Sequence, residues 1–456
     1  MRSVYRLSAI ILSAVMLLGS FAGCRKGEDE FPDVVFPEDT SAVSSEGTTL
    51  PDPDVPESNV ARITVASPYS DNTIKYLAKL YYCKSHDLLG DRKGDTVDLD
   101  FLDGVDPDFI VRSVLTPVEG ASVDNITQWN KDNNAPDIFL TSQLSEMKSR
   151  SLIDPLNNYI SDESLLSADR VYVGAVDQNT DKGLLYGIPY YSSVMLMVGN
   201  SEYIPGSGKL AFKYDREQFR KYLEEIDKEY EVIPLSSGND MIPYVTSAFT
   251  SDMRCSFMMN EEYRYDRDHT IGLVQLSLDY IGRLYKEGLT RNTTQEGSNP
   301  VFSRYAGMWL ASSSEIENWN NYYPAGIYLV SLPMADPSHS VVPMATLYSL
   351  CVNSSSEEKE FAVRFASFMA LDPDARMLTE RLEHHTGFLP GIKSSEVWNY
   401  ITTDPLFGQA ATFYYQTLDN AVYCPPTTDK LYSTVADYLS GYSGGDFDPE
   451  ACYGQT

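Results

Sequence analysis

From Ala61 onward, short strand-like alternations of apolar and polar residues trade places with apolar stripes at helical spacing. Arg62-Ile63-Thr64-Val65-Ala66 predicts a strand, and Ile74, Leu77, Ala78 and Tyr81 then fall at i, i+3, i+4 and i+7, the buried face of a helix. Val97, Leu99 and Phe101 alternate with polar residues and predict a second strand. Asp137-Ile138-Phe139-Leu140 predicts a short third. Later stripes predict helices through Phe219, Tyr222, Leu223 and Ile226, through Leu273, Leu276, Tyr280 and Leu284, and through Phe361, Phe365, Phe368 and Met369. Asp372-Pro373 stops the last of these. Strands interleaved with helices over this length predict α/β layers with mainly parallel sheets.

The chain has 456 residues, more than one hydrophobic core of about 250–300 residues serves, so two domains or two lobes are expected. Its 65 acids against 35 lysines and arginines give a formal net charge of −30. Such a surface repels phosphate backbones and anionic head groups, which excludes nucleic acid and leaves small solutes and proteins as partners.

The first residues set the compartment. Arg2 and Arg6 precede an apolar run from Leu7 to Leu18, followed by Gly19-Ser20-Phe21-Ala22-Gly23-Cys24. This is the layout of a secretory signal, and its apolar run falls short of the roughly 20 residues that span a bilayer. Residues 25–60 then read as a tether rich in Pro, Ser, Thr and acids, with only Arg25 and Lys26 as cations and no helical or strand period. A flexible chain of that length spans roughly 30–36 Å. With Cys24 set aside, Cys83, Cys255, Cys351, Cys424 and Cys452 remain, an odd number that argues against a simple disulfide framework.

Motifs for catalysis and metals fail when counted. Gly206-Ser207-Gly208-Lys209 lacks the first glycine and the Ser/Thr of a phosphate-binding loop and reads as a turn. In Asp98-Leu99-Asp100-Phe101-Leu102-Asp103-Gly104, a calcium loop with its glycine in place would put Leu99 and Phe101 at ligand positions. His384-His385 have no third ligand nearby and point different ways. There is no H-E-x-x-H. No catalytic residue, cofactor or metal is expected.

Three segments carry a resemblance. Ala135-Pro136-Asp137-Ile138-Phe139-Leu140 with Ser151-Leu152-Ile153-Asp154-Pro155-Leu156, then Lys182-Gly183-Leu184-Leu185-Tyr186-Gly187-Ile188-Pro189-Tyr190 with Asn200, then Glu357 to Leu371 with Asp372-Pro373 and Gly387-Phe388-Leu389-Pro390, resemble in that order the extracellular solute-binding proteins of the maltose-binding type (family 1), the receptors of ABC importers. Phe21-Ala22-Gly23-Cys24 resembles a bacterial lipobox, which implies acylation of Cys24. The resemblance implies a two-lobed periplasmic-binding-protein-like α/β fold with hinge crossovers. On this reading residues 1–23 are the signal peptide, 24–60 the lipidated tether, 61–192 and 346–398 lobe 1, and 193–345 and 399–456 lobe 2. It implies a monomer outside the cytoplasmic membrane, held by its lipid, passing a small solute, a carbohydrate above all, to ABC permease subunits. A same-fold lipoprotein used for sensing or adhesion, or an extracellular glycosidase, stays as the alternative.

Residue by residue, the resemblance places Ser67 and Tyr69 in the first cleft loop and Thr141, Ser142 and Gln143 in the next. Tyr190, Tyr191 and Ser193 fall on the first crossover, Thr346 and Tyr348 on the second. Tyr190 or Tyr191 offers an aromatic face for a sugar ring, or packs in the hinge. In Gly307-Met308-Trp309-Leu310-Ala311-Ser312-Ser313-Ser314, Ser313 is a candidate contact, Ser314 stands where the family stacks a Trp, and Trp309 reads as core. Tyr432, after Pro425-Pro426, falls where the family often has a stacking aromatic.

Overall fold

The structure is a computed structural model that describes residues 60–160, 163–236, 278–291, 300–333 and 343–423. Cys24, Cys255, Cys424, Cys452, Tyr432 and the predicted helix positions Leu273 and Leu276 lie outside the described residues. The chain divides after Val60, and every strand and helix named below belongs to the unit that begins at Ala61.

The first half-sheet begins with β1 (Arg62–Ser67), which pairs in parallel with β2 (Ile110–Leu115) on one side and β3 (Ile138–Thr141) on the other. The connection from β1 runs through α1 (Asp71–Ser85), which buries Ile74, Leu77 and Ala78 and starts at Ser70, whose side chain accepts from the Thr73 N–H. The alternation at Val97–Phe101 is not a strand. Those residues lead into α2 (Leu99–Asp103), because the Asp98 carboxylate caps the Asp100 N–H and Leu102 turns inward. The second strand is β2 instead, an edge strand with an irregular burial pattern. Then come α3 (Val123–Lys131), α4 (Leu144–Ser149), α5 (Val173–Gln178) and the short hairpin of β4 (Thr180–Asp181) and β5 (Leu184–Leu185).

The 13-residue β6 (Ile188–Asn200) follows, buried at every position but half-buried Met195. Beyond it α6 (Arg216–Glu229) buries Phe219, Tyr222, Leu223 and Ile226, the predicted stripe, and is opened by a capping box between Asp215 and Gln218. β7 (Ile233–Ser236), the helical residues 278–286 (α7), β8 (Thr290–Arg291) and β9 (Ala306–Ser312) form a second half-sheet in the order β9-β7-β8, with parallel pairing. α8 (Ile316–Tyr322) leads to β10 (Ile327–Val330), and β11 (Met344–Val352) returns to the first half-sheet.

The expectation of mainly parallel sheets needs correction where the halves join. β6 pairs antiparallel with β11 over Ile188–Val194, and with β9 and β10 over Met195–Asn200. β11 is likewise antiparallel to β3. Each half is parallel where helices cover its crossovers, and antiparallel where single strands pass between halves.

α9 (Lys359–Leu371) ends as predicted at Asp372, whose side chain caps α10 (Pro373–Glu383) at the Asp374 and Ala375 N–H groups, with Pro373 in the first turn. Lys84, in the last turn of α1, meets Asp372 at 2.7 Å and Asp374 at 2.6 Å. β12 (Leu389–Pro390) pairs with β6, and α11 (Ser395–Thr402), α12 (Gly408–Thr417) and β13 (Val422–Tyr423) complete the described chain, β13 pairing with β11. Cys83 and Cys351 are free thiols with no exposed surface. Gly206–Gly208 is a turn, as read from the sequence.

Gly387, with φ +95, lies so close to the Ser313 backbone that an added Cβ would sit 1.8 Å from its carbonyl oxygen. Gly208 has the same φ with nothing within 4 Å. Gly387→Ala is therefore expected to cost about 2 kcal/mol more than Gly208→Ala, which suffers only backbone strain. Chemical denaturation of the two variants side by side checks this; equal losses would mean that the Gly387–Ser313 approach is not tight.

Candidate functional site

The strand ends of the first half-sheet and the two passing strands bring most of the candidate residues to one place. Tyr69, in the loop after β1, meets Tyr190 edge-on at 6.0 Å and lies stacked on His385 at 6.0 Å. Tyr190 contacts Tyr191 at 5.2 Å, and Tyr191 contacts Tyr348 at 5.0 Å and Phe388 at 4.6 Å. Register explains the meeting of the last two tyrosines, since Tyr191 and Tyr348 are direct partners across β6 and β11. The Tyr191 hydroxyl donates to the Val118 carbonyl at 2.9 Å, fixing the loop after β2 to this cluster.

Tyr190 and Tyr191 both lie within the core, at 0% and 1% exposure. One face of Tyr190 is covered by the guanidinium of Arg376, 4.1 Å from the ring centroid. Tyr348 keeps 5% exposure, and its hydroxyl faces Ser193 and Ser314. Thr346 is the one exposed position of β11 and pairs in register with Ser193. Ser193 accepts from the Ser312 hydroxyl at 3.0 Å, and Ser312 and Ser314 share a bond of 2.9 Å.

Several candidates serve the backbone. Ser67 is buried and its hydroxyl accepts the Tyr69 N–H. Thr141 is buried, its hydroxyl accepting the Gln143 N–H at 3.0 Å, while the Gln143 side chain accepts the Val123 N–H at the start of α3. Ser142 is exposed. Ser313 accepts the Val194 N–H at 2.9 Å and donates to the Gly387 carbonyl, so it pins β6, the end of β9 and the loop before β12 together. Trp309 is core, stacked on Tyr323 at 4.9 Å.

The structure adds residues that sequence reasoning missed. Arg376 and Glu380 are buried one turn apart on α10 and form an ion pair of 2.8 Å. Burial pushes the Glu380 carboxyl up against the opposing pull of Arg376, and burial lowers the His385 imidazole despite nearby Glu383 and Glu317. Glu315 is exposed, and partial desolvation of its carboxyl, offset by the Ser312 N–H, together with the charge of Glu119 holds it above the ordinary range. The available signal was an Arg and a Glu at i, i+4 amid apolar helix positions, where only a solvated pair would be unremarkable. His384 and His385 diverge as expected, His384 reaching Asp404 at 3.4 Å. Among the described residues no group of three or more His, Cys, Asp or Glu is placed to hold a metal ion.

No family model and no curated protein matches the chain. Solved structures do. The sugar-binding protein MalE from Xanthomonas citri superposes with TM-score 0.62 at 14% identity, covering 84% of this chain and 92% of that one. A sugar transporter of Rhizobium etli in an open conformation gives 0.61 at 15%, covering 86% and 98%. An ABC substrate-binding protein from Listeria monocytogenes, in complex with cycloalternan, gives 0.60 at 15%, covering 84% and 95%. The fold is that of the two-lobed solute-binding proteins.

In a solute-binding-protein fold β6 and β11 are crossovers, and the tyrosine cluster stands beside them where the half-sheets meet. Beside this cluster, Glu383 of α10 accepts the Ser70 N–H at 2.9 Å and the Thr73 hydroxyl at 2.6 Å, bonds that outweigh burial and lower its carboxyl. A lowered folded value means stability that is complete above the ordinary value of 4.5 and is lost as pH falls through the folded value. Glu383→Gln should flatten that acid loss in urea unfolding between pH 6 and about pH 3, leaving the share of Asp404, whose carboxyl is also lowered. An unchanged acid limb would show that the Glu383 bonds contribute nothing. Truncating Tyr190 to Ala should cost about 3–5 kcal/mol, as large buried aromatics do.

Proposed function

We propose that this chain is a non-enzymatic, extracytoplasmic solute-binding lipoprotein that closes two lobes around a small carbohydrate and delivers it to the permease subunits of an ABC importer. The observation that carries the reading is the wall beside the crossovers, where Tyr348 and Phe388 stand beside Ser193, Ser314 and exposed Thr346. Aromatic faces next to hydroxyl donors and acceptors suit a sugar ring, which has apolar C–H faces and a polar rim. The solved neighbours support the same class, their own ligands including cycloalternan and maltotetraose. Lobe 1 comprises residues 61–192 and 346–398, lobe 2 residues 193–345 and 399–456, and Cys24 carries the lipid. No helix among the described residues is long and apolar enough to cross a membrane, which fits anchoring by acyl chains.

Closure is a differential-affinity event, since only contacts made with both lobes favour the closed state. A thermal-shift panel of mono- and oligosaccharides, amino acids and peptides is expected to single out a saccharide, with stabilisation of about 2.7 kcal/mol at a hundredfold excess over Kd. In solution scattering that ligand should reduce the radius of gyration. A tight, saturating ligand that leaves the scattering unchanged would remove the hinge mechanism, and turnover of a glycan would make the protein an enzyme. Mass spectrometry of the native amino-terminal peptide should find an acylated Cys24; an unmodified Cys24 removes the anchor.

A further inference from the structure

A cavity of about 280 Å³ borders α9 and shares no lining residue with the candidate site. Its size is at the lower edge of small-molecule sites, roughly 300–1,000 Å³. Arg364, Ser367, Phe368 and Leu371 line it from α9 at i, i+3, i+4 and i+7, one stripe of that helix. The opposite stripe, with Ala362, Ala366 and Met369 at 0% exposure, is sealed in the core. Tyr81 of α1 closes one wall, its ring 5.2 Å from that of Phe368. Tyr159, Ile160 and Leu165, from the chain between α4 and α5, form another. Backbone bonds fix both ends of that wall: the Ile160 N–H donates to the Leu156 carbonyl at 3.2 Å, and the Arg170 carbonyl accepts the Lys393 N–H at 2.7 Å.

Charge singles this cavity out on a chain of net charge −30. Two guanidinium groups, Arg170 and Arg364, line it beside one carboxylate, Asp372. Asp372 is already engaged, its oxygens holding Lys84 at 2.7 and 2.8 Å and accepting the Asp374 and Ala375 N–H groups. Arg364 pairs with Glu360 at 3.6 Å, both exposed, and such pairs contribute little. Among the described residues, half-buried Arg170 makes no ion pair. The charge of Arg364 reaches the Tyr81 hydroxyl, where it opposes the burial that raises that group. Apolar rings and uncommitted guanidinium donors thus share one cavity.

We infer that this cavity is a second binding site, for a small organic carboxylate with an apolar or aromatic body. The body lies against Tyr81, Phe368 and Ile160, and the carboxylate takes N–H groups of Arg170 and Arg364. A guanidinium presents its N–H groups in the planar fork that a carboxylate accepts, and such charge-assisted bonds are roughly twice as strong as neutral ones. A neutral sugar would face aromatic and aliphatic walls beside a carboxylate that is already saturated. An ammonium would meet two cations, and an inorganic anion would leave the apolar walls uncovered. The site does not depend on the solute-binding reading, so either can fail alone.

Saturation-transfer NMR titrations on the full chain, near neutral pH where these acids are ionised, test the site with phenylacetate, benzoate and hexanoate. Benzyl alcohol and benzylamine are the neutral and cationic controls, and sulfate is added as a competitor. Phenylacetate should bind about tenfold more tightly than benzyl alcohol, the effect of one charge-assisted contact. Arg170→Gln combined with Arg364→Gln should abolish that advantage and leave the alcohol unchanged. Ser367→Phe, which fills the cavity from α9, should remove both ligands; if it fails to fold, the arginine double variant decides. Carboxylates that bind no more tightly than benzyl alcohol or benzylamine, or that bind not at all, overturn the site. So does sulfate competing as strongly as benzoate, or phenylacetate affinity that survives the arginine double variant. Loss on Tyr348→Ala with retention in the arginine variant would place the anion at the tyrosine cluster and overturn it equally.

Discussion

A single strand bears most of the architecture. β6 gives its first residues to β11 and β12 and its last to β9 and β10, so the hydrogen bonds of both half-sheets run through one uninterrupted backbone. Such a strand must be apolar or satisfied at every position, because neither face returns to water. Its serines meet that demand through partners, Ser193 by the Ser312 hydroxyl and the neighbouring Val194 N–H by Ser313. The register of β6 against β11 then decides which side chains meet, and it sets Tyr191 beside Tyr348. A slip of one residue would turn the tyrosines to the opposite face.

Around that strand, α10 is fixed from both ends by charge. At its start Asp372 and Asp374 hold Lys84 of α1, Asp374 accepts the Gly94 N–H, and Arg381 returns bonds to the carbonyls of Gly94 and Val97. At its end Glu383 caps α1. Exposed ion pairs are worth little, but these are partly buried, and several bind backbone groups that have no other use. The helix is thereby oriented so that Arg376 reaches the ring of Tyr190, a placement no local propensity would supply.

How much of the molecule can be read from the chain depends on how local the deciding interaction is. The stripe of α6 was legible because its capping box and its apolar face agree within one segment. β1 and β3 were legible as short apolar runs. Residues 97–103 form a helical turn and not a strand because so short a run satisfies period 2 and a helical turn equally well, and the Asp98 cap, a local bond, breaks the tie. β2 was missed because an edge strand with a mixed burial pattern shows no clean alternation. Within the candidate site, the aromatic residues of the crossovers could be named in advance. Arg376 and Glu380 could not, since their meaning comes from Tyr190, far away along the chain. Ser313 and Gln143 illustrate the converse, candidate polar residues whose side chains spend their hydrogen bonds on backbone.

The two sealed thiols carry a practical consequence. Cys83 sits on α1 and Cys351 on β11, in two different hydrophobic clusters, and burial raises both thiols above their ordinary range. The thiolate is the reactive form, so each is protected from oxidants both by lack of access and by protonation. Labelling by an alkylating reagent must wait for the surrounding segment to part from its neighbours, and the rate at which each cysteine is trapped measures how often that happens. Among the described residues these are two native clocks, one on a covering helix and one on a crossover strand, that can time local breathing of the layers without any introduced probe.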